Sequence, residues 1–463
     1  MAEDKKKDNY ETYDFKPDIG DRVSPTFCAL AWLHRFTNIA GEVQLCCVAE
    51  EYDSDILDSK GIKMNLDRVQ DDETIMNSQW MKDLRLKMLK GEWPSYCERC
   101  RLTEAGGGFS RRQFENAGNS RFITKLINDT KSDGTINVQV RSVDFRLGNL
   151  CNLACRMCTP RSSSKWVRDW PKVDQDWFGK TEQELEQYRR YRYYENPKVW
   201  ENFKKQVPYL RHLHFAGGEP MIVPQMVEAL KTCIDSGNAG NMSLTYNTNV
   251  MLIPDEVKEL WQKFGYVRIY ASIDAFGKLN DYIRHPSKWE VISRNLEDLE
   301  ANFDKYHLRQ VLVMSTVQVY NITQVGDLFT YLRENFERIT PVPHLINLHH
   351  PHHYRTQILP PELKALAKER LMEHKILAKE KMLSIPRMHR FLFYLEAMDE
   401  AVHFMESEDR QDLLPEFLRS ALSKDRFRGE NMFELLPEFE VLKKWLPQNF
   451  DKSVRQGAPS VNL

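Results

Sequence analysis

The sequence has 463 residues, 41 % hydrophobic and 29 % charged, which excludes a disordered chain, a collagen-like repeat and a small disulfide scaffold. Lysine plus arginine (65) nearly equals aspartate plus glutamate (67), so overall charge exerts no pull toward nucleic acid or anionic lipid. No apolar run approaches the roughly 18 residues of a membrane helix, and the charged start, Met1-Ala-Glu-Asp-Lys-Lys-Lys-Asp, does not read as a secretory signal. Nine cysteines, an odd number, with no export signal point to the reducing cytoplasm, where thiols serve as ligands or catalysts more often than as disulfides.

In chain order, residues 1–24 read as a polar tail, and residues 25–135 as a cysteine-rich module. Phe27-Cys28 is followed by Gly41-Glu-Val-Gln-Leu-Cys46, a C-x12-G-x4-C pattern that suits a β-hairpin with two thiolates brought together across a turn. Cys97 and Cys100 add a C-x2-C pair. Four thiolates in two pairs suit either a [4Fe–4S] cluster or zinc. Cys47 is an alternative to Cys46, which fits the spacing better. The run Glu104-Ala-Gly-Gly-Gly-Phe-Ser-Arg111-Arg112 reads as a flexible loop whose arginines could bind a substrate carboxylate or phosphate; it lacks the lysine–serine/threonine ending of a phosphate-binding loop.

From residue 136 to 355 strand-like runs alternate with helical ones. Strands are predicted over 138–147, 210–215, 242–247, 266–273, 311–319 and about 344–348, and helices over 224–236, 254–264, 288–306 and 323–336. Six strands alternating with helices imply right-handed βαβ units in one parallel sheet. The expected fold is therefore α/β, a partial (β/α)6 parallel barrel, with chemistry at the carboxyl ends of its strands. Residues 166–207 form an insertion rich in tryptophan, tyrosine and arginine. Within it, Tyr188-Arg-Arg-Tyr-Arg-Tyr-Tyr194 could stack on bases, but packs equally well as tyrosines on a core. His349-His350-Pro-His352-His353 follows the sixth strand, as a solvated loop first, with a substrate contact or a third metal site as alternatives. Cys233 sits in an apolar helical stretch and reads as core. Residues 356–463 form a helical carboxy-terminal region whose mixed lysines and glutamates suggest a solvated amphipathic face.

The first predicted strand leads into Gly148-Asn-Leu-Cys151-Asn-Leu-Ala-Cys155-Arg-Met-Cys158, a C-x3-C-x2-C spacing. Three thiolates on one short loop can reach three corners of an iron–sulfur cube and leave the fourth iron open to a chelating ligand. Zinc would need a fourth ligand, for which His212 or His214 is next in line.

This motif resembles the signature of the radical S-adenosylmethionine (SAM) superfamily, and further elements match in order. Ala216-Gly217-Gly218-Glu219-Pro220 is similar to the family's GGEP motif, Tyr246-Asn-Thr-Asn249 to its threonine–asparagine–glycine turn with Val250 in place of the glycine, and Ser272-Ile-Asp274 to its serine–x–aspartate element. Arg284 matches an arginine often found downstream. Met157 stands where many members carry an aromatic residue. The resemblance implies a SAM-binding [4Fe–4S] cluster on Cys151, Cys155 and Cys158. It also implies contacts to SAM from Gly217, Gly218, Glu219, Pro220, Asn249, Ser272, Asp274 and Arg284, with Glu219 receiving the ammonium group and Arg284 pairing with the carboxylate. The expected reaction is reductive cleavage of SAM to a 5′-deoxyadenosyl radical that abstracts hydrogen from a substrate.

The amino-terminal cysteines resemble the SPASM and twitch modules of such enzymes, which implies an auxiliary [4Fe–4S] cluster on Cys28, Cys46, Cys97 and Cys100. Those modules usually follow the barrel; here the cysteines precede it. The expected substrate is a peptide or protein side chain. A small metabolite and RNA are alternatives, as is a non-catalytic iron–sulfur redox or scaffold protein. An electron donor such as flavodoxin or ferredoxin is implied, with no membrane partner and no general nucleic-acid partner.

Overall fold

A computed structural model describes residues 23–49, 54–68, 71–173 and 182–446; the expected polar tail, 1–24, falls almost entirely outside them. The chain divides into two compact units, residues 1–38 with 42–144 and residues 39–41 with 145–463.

In the first unit the C-x12-G-x4-C spacing does form a hairpin. Strands β1 (His34–Thr37) and β2 (Val43–Gln44) pair antiparallel, with Phe36 opposite Gln44 and Thr37 opposite Val43. Gly41 turns the chain between them with φ +85°, a conformation that favours glycine. Helices Gln79–Leu89, Glu98–Ala105, Arg111–Gly118 and Ser120–Asp129 complete the unit. Arg85 is wholly buried among them and donates to three carbonyls, Gly134 O at 2.9 Å, Ala31 O at 3.1 Å and Met76 O at 2.6 Å. A guanidinium whose donors are matched in this way ties three segments together at once.

Strand β3 (Ser142–Arg146) is shorter than the run of alternation that predicted it and begins four residues later. It leads to β4 (His212–Ala216), β5 (Ser243–Thr248), β6 (Tyr266–Ser272), β7 (Leu308–Val317) and β8 (His344–Asn347). The six lie side by side in chain order, and β4 through β8 pair parallel throughout. Helices occupy the connections: Pro224–Asp235, Asp255–Trp261, Trp289–Ala301 and Val325–Asn335. This is the strand and helix order of the expected partial barrel. The predicted helix over 288–306 stops at Ala301, because the chain turns and reaches His307 with φ +53° before entering β7.

Alternation decides which face meets the helices. In β6, Val267, Ile269 and Ala271 are buried and the residues between them are half-buried. On the helix-facing side an aromatic ladder crosses three strands. Phe145 stacks on Phe215 (6.1 Å), and Phe215 on Tyr246 (5.6 Å), which abuts Trp261 of the covering helix (5.7 Å). The carboxy-terminal residues, helical as expected, form helices Pro361–Leu383, Glu396–Glu406 and Leu414–Arg428. They share one continuous apolar core with β7, β8 and the Val325–Asn335 helix. Among the described residues no helix is long and apolar enough to cross a membrane.

Candidate metal centres

The three-cysteine loop leaves the carboxyl end of β3 and is fixed from two sides. On one side the glycine turn docks against it. Leu147 N donates to Ala216 O (2.8 Å), Gly218 N to Gly148 O (2.9 Å) and Glu219 N to Leu150 O (2.8 Å). A Cβ on Gly217 would come within 2.8 Å of Gly148 O, and one on Gly218 within 2.2 Å of Leu150 O. The two glycines are thus required for the turn to meet the cysteine loop, backbone to backbone. Gly148 has φ +62°, and a Cβ there would fall 2.1 Å from Tyr191 O. The tyrosine-rich insertion therefore packs here: Tyr193 and Tyr194 are buried, and the intervening Arg189 and Arg192 pair with Glu186 and Glu195.

On the other side the loop meets residues that sequence reading did not single out. Arg156, between the second and third cysteines, is wholly buried. Its Nη2 reaches Asp425 and Glu430, each at 2.5 Å, its Nε donates to Tyr282 O (3.0 Å), and its guanidinium lies 3.4 Å from the Tyr282 ring centroid. Asp425 also accepts from Tyr282 OH (2.9 Å) and Met432 N (2.8 Å). Every carbonyl from Leu153 to Arg156 is taken by a side chain: Ser163 on Leu153 O (2.5 Å), Arg428 on Ala154 O (2.5 Å), Trp166 on Cys155 O (2.8 Å) and Lys424 on Arg156 O (2.9 Å). The Leu414–Arg428 helix is therefore part of the loop's scaffold. No sequence spacing links residue 156 to residue 425, so only the fold could reveal the partnership.

The thiols themselves are sheltered. Burial, with the neighbouring Cys155, pushes Cys151 up to about 12. Cys158 donates to Cys155, which holds the Cys158 proton on and favours the Cys155 thiolate. Iron would deprotonate all three on binding. The histidines considered as a fourth zinc ligand are engaged one strand over, His212 with Ser243 Oγ (2.8 Å) and His214 with Asn247 Oδ1 (2.6 Å).

The other expected SAM-binding residues gather at the carboxyl ends of β4, β5 and β6. Glu219 is buried and accepts from Asn249 N (2.7 Å) and Met221 N (3.1 Å). Burial outweighs these bonds and raises its carboxyl to about 7. Pro220 opens a short 3-10 turn behind it. Asn249 bridges to the cysteine loop through Asn152 Oδ1 (2.7 Å). Val250, where the family has glycine, takes φ +59° while fully buried, a strained conformation for a β-branched residue. Asn295 holds it by donating to Val250 O at 2.6 Å. Ser272 ends β6 half-buried. Asp274 is wholly buried and faces Arg284: Nη2 donates to Oδ1 (3.0 Å), while Nε lies 2.8 Å from Oδ2 at an angle too poor for a hydrogen bond. Asp274 Oδ1 also accepts from Thr316 N (2.8 Å). In this state Arg284 is thus paired with Asp274. Burial works against its charge, but Asp274 and the nearby cysteines outweigh that and keep it a cation.

In the first unit Cys28, Cys46, Cys97 and Cys100 line one pocket. Cys47 is not among the lining residues. The four cysteines arrive on three separate segments. The backbone around Cys28 is held by buried Asn116, which accepts from Ala29 N (2.8 Å) and donates to Phe27 O (2.7 Å). Cys97 ends a 3-10 turn, and Cys100 lies in the first turn of the helix that follows. Burial drives Cys28 and Cys46 well above the ordinary thiol range and Cys97 to about 12. The three glycines serve the turn between helices: Gly107 takes φ +80°, and Ser110 then caps the next helix in a capping box with Gln113. Arg112 is engaged by Glu104 and Phe27 O; Arg111 pairs with Glu115 and lines the pocket. Among the described residues no three His, Cys, Asp or Glu side chains converge as ligands of a single ion. Zinc would draw four sulfurs to about 2.3 Å from one point; a four-iron cube spreads its ligands around a larger body.

No curated protein matches the chain. Among solved structures, Streptococcus suis SuiB bound to precursor peptide SuiA is 14 % identical over 53 % of this chain and 51 % of that one, with a TM-score of 0.29. SuiB bound to S-adenosylmethionine is 16 % identical over 59 % and 56 %, with a TM-score of 0.30. Native anSMEcpe with bound AdoMet is 13 % identical over 50 % and 60 %, also with a TM-score of 0.30. The chain thus spans between about half and three fifths of the length of those chains. Residues 145–318 match the model of the Radical SAM superfamily, a span that holds the three-cysteine loop and strands β4 to β7.

Proposed function

We propose that the chain is a radical SAM enzyme in which Cys151, Cys155 and Cys158 hold a [4Fe–4S] cluster with one iron open to SAM. The observation that carries this reading is the joint construction of one site. Three sheltered thiols on the loop after β3 are locked to the glycine turn after β4 and bridged by Asn249 after β5. The bound cluster and SAM would supply one-electron cleavage to methionine and a 5′-deoxyadenosyl radical that removes a substrate hydrogen. The chain's own residues bind and orient. Glu219 has lone pairs left for an ammonium group beyond the two N–H bonds it accepts. Arg284, now paired with Asp274, would exchange or share that partner with the SAM carboxylate. Gly217, Gly218 and Pro220 shape the turn, and Ser272 and Asp274 would meet the SAM ribose.

The four-thiol pocket supports an auxiliary [4Fe–4S] cluster on Cys28, Cys46, Cys97 and Cys100. A second cysteine centre favours a peptide or protein side chain as substrate, with reducing equivalents from a flavodoxin- or ferredoxin-type donor in the cytoplasm. The test is 5′-deoxyadenosine formation by anaerobically reconstituted protein with SAM and a low-potential reductant. Turnover above background is expected. A fully loaded protein that cleaves no SAM overturns the enzymatic reading in favour of a scaffold. Deuterium transferred into 5′-deoxyadenosine from labelled candidate peptides would identify the substrate.

A further inference from the structure

The carboxy-terminal helix brings an unspent pair of hydrogen-bond donors to the three-cysteine loop. Arg428, its last residue, spends one nitrogen on Ala154 O (Nη2, 2.5 Å) and sets its guanidinium 4.9 Å from the Trp166 ring centroid. Trp166 in turn donates to Cys155 O at 2.8 Å. The remaining donors of Arg428, Nε and Nη1, are both buried and meet no acceptor among the described residues. Burying two such donors without acceptors is costly, and more so for a charged group. The neighbouring cations are differently placed. Arg156 is matched by Asp425 and Glu430, and Lys424 donates to Arg156 O, Tyr354 OH and Ser420 Oγ. Arg428 thus combines a positive charge, a fixed position beside the second cysteine and free donor capacity. Three thiolates outweigh the positive core of an oxidised [4Fe–4S] cluster, and reduction adds further negative charge. Hydrogen bonds to the sulfurs and local charge are two of the levers that set a cluster's potential.

We infer that Arg428 is a cluster-contacting residue: its Nε–H and Nη1–H donate to sulfur atoms of the cluster on Cys151, Cys155 and Cys158, stabilise the reduced state and raise the reduction potential. This rests on the assignment of those cysteines as cluster ligands above. The test is a redox titration of the full-length, anaerobically reconstituted protein, followed by the electron paramagnetic resonance signal that changes when SAM is added, with iron counted per chain. Arg428→Gln removes the charge and the fork. Its cluster is expected to become at least tenfold harder to reduce, a fall of about 59 mV for one electron. Arg428→Lys keeps the charge without the fork and is expected to fall in between; should the glutamine variant take up no iron, the lysine variant decides. A loaded variant of either kind at the wild-type potential overturns the inference, and water or nothing then faces those donors. A wild-type chain that takes up no iron on the central cysteines overturns the parent assignment, and this one with it.

Discussion

The two cysteine centres solve one problem in opposite ways. The central loop places three thiols within eight consecutive residues and then recruits distant side chains to hold that backbone still, chiefly Arg156 with Asp425 and Glu430. The amino-terminal pocket takes four thiols from three separate segments and ties them together with side chains of its own unit, Asn116 at Cys28 being the clearest case. Proximity in sequence makes the first centre depend on its surroundings for rigidity. Dispersal makes the second depend on the fold of its unit for its existence.

That contrast breaks most sharply on the ligands themselves. Replacing Cys151, Cys155 or Cys158 with alanine is expected to abolish 5′-deoxyadenosine formation while leaving the amino-terminal iron in place. Cys97→Ala is expected to remove about four irons per chain and leave the central centre's SAM-responsive spectrum intact. Loss of all iron from either single replacement would show that the centres assemble as one.

Next in size is the buried ion pair. Asp425→Ala strips Arg156 of a partner where both groups are almost fully buried. Leaving a buried charge wholly unpaired costs about 3–5 kcal/mol; Glu430 stays on Arg156, so the expected cost lies below that range. Urea unfolding should report that loss, and iron retention on the central cysteines should fall while the amino-terminal centre keeps its own. Asn116→Ala is the mirror experiment. It removes two buried hydrogen bonds, an expected cost of about 1–3 kcal/mol, and should loosen the amino-terminal iron alone. Equal effects of the two variants on both centres would erase the distinction drawn between them.

Much of the central site was legible in the sequence because its parts are short, local and ordered: a cysteine spacing, a glycine turn and an aspartate, each just past a strand. The strands were legible because β6 alternates and so does β5, with Leu244 and Tyr246 set between Ser243, Thr245 and Asn247. The hairpin before Cys46 was legible because Gly41 marks its turn. What escaped were relations between distant positions. The carboxy-terminal region read as a solvated helical face, since its charges mix as surface charges do, and nothing local marks Lys424, Asp425 or Arg428 as inward-facing. The two glycines suggested close approach to a ligand; they are required first for approach to Gly148 and Leu150. Val250 looked like a lost glycine, and it keeps the glycine's left-handed backbone with Asn295 as its brace.

The smallest expected effect is a pH dependence that belongs to the central centre alone. Burial raises the Glu219 carboxyl to about 7, above its ordinary value of 4.5. A raised carboxyl favours folding in its protonated form, so that contribution to stability is full below about pH 4.5 and is lost as pH rises through about 7. Binding an ammonium group runs the other way, because the partner must be the carboxylate. As pH falls below about 7 the proton must first be displaced, and the apparent Kd for SAM should rise about tenfold per unit. Glu219→Gln cannot titrate and should bind SAM weakly with a flat profile across the same range. Calorimetric or spectroscopic titration of the reconstituted protein between pH 6 and 8 separates the cases. A wild-type profile as flat as the variant's would mean that Glu219 holds the turn through Asn249 and Met221 and never meets the ligand.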